Sequence, residues 1–273
     1  MPEGPEIRLA ADRLHAVLAD RVIEDAEFTL PTLNQARHRI LGRQVERVTC
    51  HGKAMLTQFD HGETLYSHNQ LYGVWRISKR GAVPNTKRQM RVALHTRDHS
   101  AYLFSATDIE LWPTEHLDQH PFLRKLGPDV LDESLNPASV AARLREPAFT
   151  RRSLASLYLD QGYIAGIGNY LRSEILYRAK VSPKARPADL KAADIQRLAR
   201  ATLTISRRSY KTRGVTVTQR EKKQLAQPGG GFESYRFAVF GRQGKACLAC
   251  NETIQKIDVS ARRLYWCPKC QAG

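Results

Sequence analysis

The 273-residue chain contains no run of about 18 apolar residues, so a membrane-spanning helix is excluded. Its opening, MPEGPEIRLA, carries acidic residues where a secretory leader needs a basic stretch and then an apolar one; the sequence thus predicts a cytoplasmic protein with no membrane partner. Acidic charge is scarce. Asp and Glu number 27 against 43 Lys and Arg, and the resulting +16 selects polyanionic partners, nucleic acid first. From Arg207 to the C-terminus 14 Lys/Arg stand against 4 Asp/Glu, a local charge of about +10. An anionic membrane surface would also attract such charge, but the chain lacks a basic amphipathic helix with an exposed apolar face. Cysteine is rare as well: five in all, four of them close to the C-terminus, with Cys50 alone.

Hydrophobic residues make up 42% of the chain, enough for real cores, and the length suits two domains and a small module. Residues 5–19 place Ile7, Ala10, Ala11, Leu14, Val17 and Leu18 on one helical face. Short runs rich in β-branched and aromatic residues follow at 22–29, 44–50, 54–59, 64–68, 74–77, 90–96 and 102–106, separated by Gly42, Gly52, Gly62, Gly73 and the 81–84 stretch. They predict an α+β fold whose first domain, 1–112, is an N-terminal helix with an antiparallel β-sandwich or barrel-like sheet. Residues 113–131 read as a linker. A helical domain is expected over 132–214, with helices at 137–145, 153–160, 170–179 and 188–207. The polar, glycine-rich stretch 215–231 predicts a mobile, solvated loop, taken as 215–234, before a cysteine module at 235–273.

In that module Cys247-x2-Cys250, sixteen residues, and Cys267-x2-Cys270 provide four soft thiolates in two knuckles. A reducing compartment disfavours two disulfides, and the spacing suits one structural Zn2+ in a closed tetrahedral site that folds a segment too small for its own core. Strands are expected at 253–258 and 264–266, joined by a turn of Ser260, Ala261, Arg262 and Arg263: a basic tip suited to nucleic acid, with protein contact as the alternative.

Pro2 becomes a free secondary amine if Met1 is removed. An α-amine titrates near ~8, far below a lysine near ~10.4, so a useful fraction is neutral and nucleophilic. By itself, a second-position proline reads better as a helix start than as a nucleophile. Gly166-Ile167-Gly168-Asn169 forms a turn into a helix beginning at Tyr170, with Asn169 as N-cap and the helix N-terminus as a phosphate cradle.

PEGPE at 2–6, HGKA at 51–54, LYSHNQLYGVW at 65–75, GIGNYLRSEIL at 166–176 and the four-cysteine hairpin with Arg262 occur in the order of one family. By these motifs the whole chain resembles the formamidopyrimidine-DNA glycosylase and endonuclease VIII family, the 65–75 stretch its endonuclease VIII branch. The resemblance implies an N-terminal β-sandwich, a helix–two-turn–helix domain and a C-terminal zinc β-hairpin. It also implies a monomeric, bifunctional DNA glycosylase and AP lyase of base excision repair, acting on oxidised pyrimidines in damaged double-stranded DNA. On that basis Pro2 attacks C1′ and forms a Schiff base, and β,δ-elimination follows. Glu3 is the acid that opens the sugar ring, Lys53 contacts the lesion phosphate and assists β-elimination, and Arg262 grips phosphates and assists the second elimination. Gln70, Leu71 and Tyr72 fill the gap left by the extruded base, and Asn169 contacts DNA. Lys125 stands where relatives carry a DNA-touching arginine, and Arg263 where a proline is expected after Arg262. Two alternatives keep parts of this picture: an oxidised-purine glycosylase of the same fold, and a zinc-dependent DNA-binding protein without catalysis.

Overall fold

The structure is a computed structural model that describes residues 2–226, 228–259 and 261–272. The chain forms two compact units, one of Pro2 with residues 6–125, the other of residues 3–5 with 126 onward.

In the first unit, helix α1 (Gly4–Leu18) buries Ile7, Ala11, Leu14 and Leu18, while Ala10 and Val17 of the same predicted face are only partly covered. Nine strands follow: β1 (Arg21–Val22), β2 (Asp25–Phe28), β3 (Gln44–His51), β4 (Ala54–Phe59), β5 (Glu63–His68), β6 (Val74–Lys79), β7 (Met90–His95), β8 (His99–Phe104) and β9 (Asp108–Pro113). They make two antiparallel sheets, β1-β3-β4-β5-β9 and β2-β7-β8-β6, with Val45, Met55, Phe59, Leu65, Val92, Leu94, Leu103 and Ile109 in one core with α1.

The expected single strand at 22–29 is two strands. β1 pairs with β3 and β2 with β7, so the chain changes sheet across Ile23 and Glu24. A five-residue helix, α2 (Ala36–Ile40), and β9 were not expected; β9 begins with Asp and ends with Pro, which hides its alternation. The expected linker is also structured, with 3-10 turns at Thr114–Gln119 and Leu123–Lys125.

The second unit packs α3 (Pro137–Leu144), α4 (Pro147–Thr150), α5 (Leu154–Leu157), α6 (Asn169–Ala179) and α7 (Ala192–Lys211) around Val140, Leu144, Tyr158, Tyr163, Leu171, Ile175, Leu198 and Ile205. Asn136 caps α3, its side-chain oxygen accepting from Ser139 N–H at 3.0 Å, and Pro137 begins the helix. α7 starts four residues later than expected because Pro187–Asp189 forms its own 3-10 turn, closed by Asp189 accepting from Arg186 N–H. α6 is buried on nearly every side, Arg172, Ser173 and Glu174 included.

The 215–234 stretch is not the featureless loop its composition predicts. Val215, Thr216 and Val217 are buried, and Thr218 and Glu221 form a capping box that starts α8 (Gln219–Leu225). Arg178 of α6 grips Glu221 with two bonds of 3.0 Å. Gln227, within that expected loop, lies outside the described residues, as does Ser260 of the expected hairpin turn. The hairpin itself is β10 (Gln255–Val259) and β11 (Arg262–Trp266), with Arg262 opposite Val259 and Arg263 opposite Asp258. Both arginines therefore belong to a strand and not to the turn. Among the described residues no helix is long and apolar enough to cross a membrane.

Candidate active site and nucleic-acid interface

Pro2, helix α1, two turns and one strand end build a tight pocket in the first unit, too narrow to admit water, lined by Pro2, Ile7, Lys53, His68, Asn69 and Gln70. His51 pairs with Ala54, so Gly52 and Lys53 are the two central residues of the β3–β4 hairpin; Gly52 has φ +61° and Lys53 does not share it, the pattern of a type II′ turn. The Gly-Lys order thus follows from the turn, and it displays the lysine at the sheet's end.

His68 closes β5, its ring against Phe122 with centroids 5.2 Å apart. Its Nδ1 accepts from Gln70 N–H at 3.2 Å, which leaves the ring proton on Nε2 as a donor. Burial pushes its pKa below the usual histidine value; Asp108, 4.0 Å away, opposes this and nearby Lys53 reinforces it. The imidazole is therefore neutral at neutral pH. His68 lies inside a quoted motif, yet nothing in the sequence marked it as a pocket residue; its position beside Lys53 comes from the register of β4 on β5, where Ala54 faces His68.

Between β5 and β6 the chain makes a tight turn. Asn69 is buried and its carbonyl accepts from Gly73 N–H at 2.7 Å. A Cβ on residue 73 would fall 2.4 Å from that carbonyl oxygen, so glycine is required. Gln70 has φ +51°, and Leu71 and Tyr72 are 51% and 66% exposed. Exposed apolar side chains on a loop beside the pocket suit a wedge and are incompatible with core packing. Gln70 Oε1 accepts from the Thr107 hydroxyl at 3.0 Å and the Thr107 N–H at 3.4 Å, and the Arg88 guanidinium donates to the Tyr72 carbonyl. Lys125 is exposed on its 3-10 turn and does not line the pocket.

In the second unit Glu3 is only 3% exposed. Oε1 accepts from Tyr170 N–H at 2.8 Å, and Oε2 from Gly168 N–H at 2.8 Å and Leu171 N–H at 3.2 Å. The carboxylate thus takes the orphan donors at the start of α6, where the helix dipole also favours negative charge. This corrects two expectations. Gly168, not Asn169, is the N-cap residue; Asn169 is the first helical residue, and its Oδ1 accepts from Arg172 Nη2 at 2.7 Å. The N–H groups expected to cradle a phosphate are largely taken by Glu3. Gly168 must lack a side chain, because a Cβ would lie 2.4 Å from the Glu3 carboxyl carbon.

α6 also fixes the hairpin. Arg172, fully buried, donates to Ala155 O at 2.8 Å and Arg263 O at 3.1 Å, and Tyr265 N–H donates to Ser173 Oγ at 3.2 Å. Burial lowers the Arg172 pKa to about 10, with Glu3 opposing and Arg262 reinforcing the shift. Glu174 accepts from Thr216 Oγ1 at 2.7 Å and from the N–H groups of Ala238, Val239 and Phe240 at 2.8–2.9 Å. Arg262 is exposed at the start of β11. Arg172 and Glu174, like the capping role of Glu3, were not expected: their partners are far away in the chain.

The four Sγ atoms of Cys247, Cys250, Cys267 and Cys270 lie within 4.8 Å of one another, with contacts of 3.4–3.8 Å. Tetrahedral thiolates bound at 2.3 Å lie about 3.8 Å apart, whereas a disulfide would need about 2.05 Å. All four are free thiols. Tyr177 Oη, at 3.3 Å, and the Ala249 N–H, at 3.5 Å, reach Cys247 Sγ, the outer donors a metal-bound thiolate requires. The cluster can hold one metal ion.

Comparison with known proteins agrees with this arrangement. The N-terminal domain of formamidopyrimidine-DNA glycosylase matches residues 1–107 and its H2TH domain residues 126–221. Endonuclease 8 of Salmonella arizonae is 46% identical over 271 residues, covering 99% of this chain and 100% of the relative; that of Pectobacterium atrosepticum is 44% identical over 272 residues, with 100% of each covered. A crystal structure of Lactococcus lactis formamidopyrimidine-DNA glycosylase, non-covalently bound to DNA containing an AP site, superposes with a TM-score of 0.83 at 23% identity, covering 99% of this chain and 100% of that one. With relatives so similar along its whole length, the chain belongs to the formamidopyrimidine-DNA glycosylase and endonuclease 8 family of DNA glycosylases with AP lyase activity.

Proposed function

We propose that this protein is a cytoplasmic, monomeric base-excision enzyme that removes oxidised pyrimidines from duplex DNA and then cuts the abasic strand by β,δ-elimination. The observation that carries the reading is the pocket that gathers Pro2, Lys53 and His68 beside the exposed Leu71 and Tyr72. After loss of Met1, the Pro2 nitrogen attacks C1′ and the C1′–base bond breaks with its electron pair leaving on the base. Glu3, buried at the start of α6, supplies the proton that opens the sugar ring. Loss of a C2′ proton from the resulting iminium then expels the 3′ phosphate, and a second elimination expels the 5′ phosphate. Lys53, Asn169, Lys125 and the neutral His68 Nε2–H are assigned to the phosphates, and Arg262 to the phosphate that leaves last.

One Zn2+ on the four cysteines would act structurally, since four protein ligands leave no open position for water. The assignment divides the chain into a catalytic β-sandwich domain at 1–112, a linker at 113–131, a helix–two-turn–helix domain at 132–214, the α8 segment at 215–234 and a zinc hairpin at 235–273. The pyrimidine preference rests on the 65–75 motif and on relatives named endonuclease 8. Excision from duplexes carrying thymine glycol or 8-oxoguanine tests it: the account expects the larger kcat/KM on thymine glycol, and the reverse order would make the enzyme an oxidised-purine glycosylase.

A further inference from the structure

The exposed loop of residues 70–72 is tied to the rest of its unit at two points. On one side the Gln70 side-chain oxygen accepts two bonds from Thr107, in the short connection between β8 and β9. On the other, Arg88 donates to the Tyr72 carbonyl, and the Arg88 N–H donates in turn to Thr86 Oγ1 at 3.2 Å, a local turn in the β6–β7 connection. Beneath them the Asn69–Gly73 bond closes the base of the loop. Leu71, half exposed, lies between the two tied residues in the chain.

A wedge must displace a stacked base, and it does so at lower cost when its backbone is ordered beforehand. Resting on the wedge reading given above, we propose that Arg88 and Thr107 are positioning residues: they hold Tyr72 and Gln70 on either side of Leu71, so that the leucine enters the base stack without the loop first having to order. Neither needs to touch the reacting atoms. Ordering one backbone residue shifts an equilibrium by roughly five- to thirtyfold, so losing either tie should slow excision from duplex DNA about tenfold.

The test compares the full-length protein with Arg88→Ala, Arg88→Lys and Thr107→Val under single-turnover conditions, on thymine glycol in a fully paired duplex and in a bubble of mismatched pairs. In the bubble the neighbouring bases are already unstacked. The proposal expects Arg88→Ala and Thr107→Val to lose about tenfold on the duplex and less than about twofold on the bubble, with Arg88→Lys recovering part of the duplex rate because its ammonium can still donate to the Tyr72 carbonyl. Affinity for undamaged duplex and its salt dependence should stay unchanged. Equal losses on both substrates would overturn the proposal in favour of general structural damage. A weaker undamaged-duplex complex whose salt slope falls by about 0.9 would make Arg88 a phosphate contact instead. Wild-type rates for both variants on the duplex would also overturn it. If the wild-type protein fails on both substrates, it is the lesion assignment that fails, a result separate from any difference among the variants.

Discussion

Glu3 and His68 show how single residues acquire chemistry from their partners. Glu3 is buried and accepts from the N–H groups of Gly168, Tyr170 and Leu171 at the start of α6, so its side chain is both a structural cap and the proposed ring-opening acid. Glu3→Gln replaces one acceptor oxygen with an NH2 that must face an N–H. Urea or thermal unfolding should therefore show a loss of about 1–3 kcal/mol, accompanied by loss of base excision. His68 carries a different prediction. Its folded-state pKa lies below its unfolded value near 6.5, so the unfolded chain binds the extra proton first as pH falls. Its contribution to stability is complete above about 6.5 and declines below that pH until the folded pKa is reached. Unfolding free energies of wild type and His68→Gln, measured between pH 7.5 and 5, roughly spanning that window, should converge as pH falls. A constant difference across the range would contradict the assignment of a neutral, buried imidazole.

Among the elements, the cysteine hairpin is the one least able to stand alone, since an isolated two-stranded ribbon is marginal in water. Removing the metal with a strong chelator, or substituting Cys250→Ser, should disorder β10 and β11 and lower DNA affinity at least tenfold, roughly the cost of losing the ligand-driven folding of such a module. Backbone amide exchange in 255–266 would report it directly. The same scale shows what the sequence reveals and what it conceals. β3 and β4 are visible because their residues alternate or run apolar between glycine turns, and the knuckle spacing announces the metal cluster without help from the fold. β9 is concealed by its polar start and terminal proline, and α8 by a charged run whose anchors, the Thr218 cap and the grip of Arg178 on Glu221, come from the fold. Asn169 looks like a cap because its residue type is right, but the caps of α6 come from a residue more than 160 positions away in the chain. A separation of 91 positions likewise conceals the grip of Arg172 on the hairpin backbone. Local chemistry is legible in sequence, whereas partnerships made by the fold are not.

For the whole molecule, the +16 charge, the two matched family domains and the cysteine cluster all describe a DNA-directed enzyme, but only the N-terminal amine makes it a lyase of the proposed kind. Borohydride reduction during reaction with a thymine glycol duplex, followed by peptide mass spectrometry of the trapped complex, tests this claim most directly. The account predicts one covalent DNA adduct on a chain that begins at Pro2, and none with Pro2→Gly beyond a residual trace. An adduct on Lys53 or another lysine, or a fully active chain that retains Met1, would contradict it.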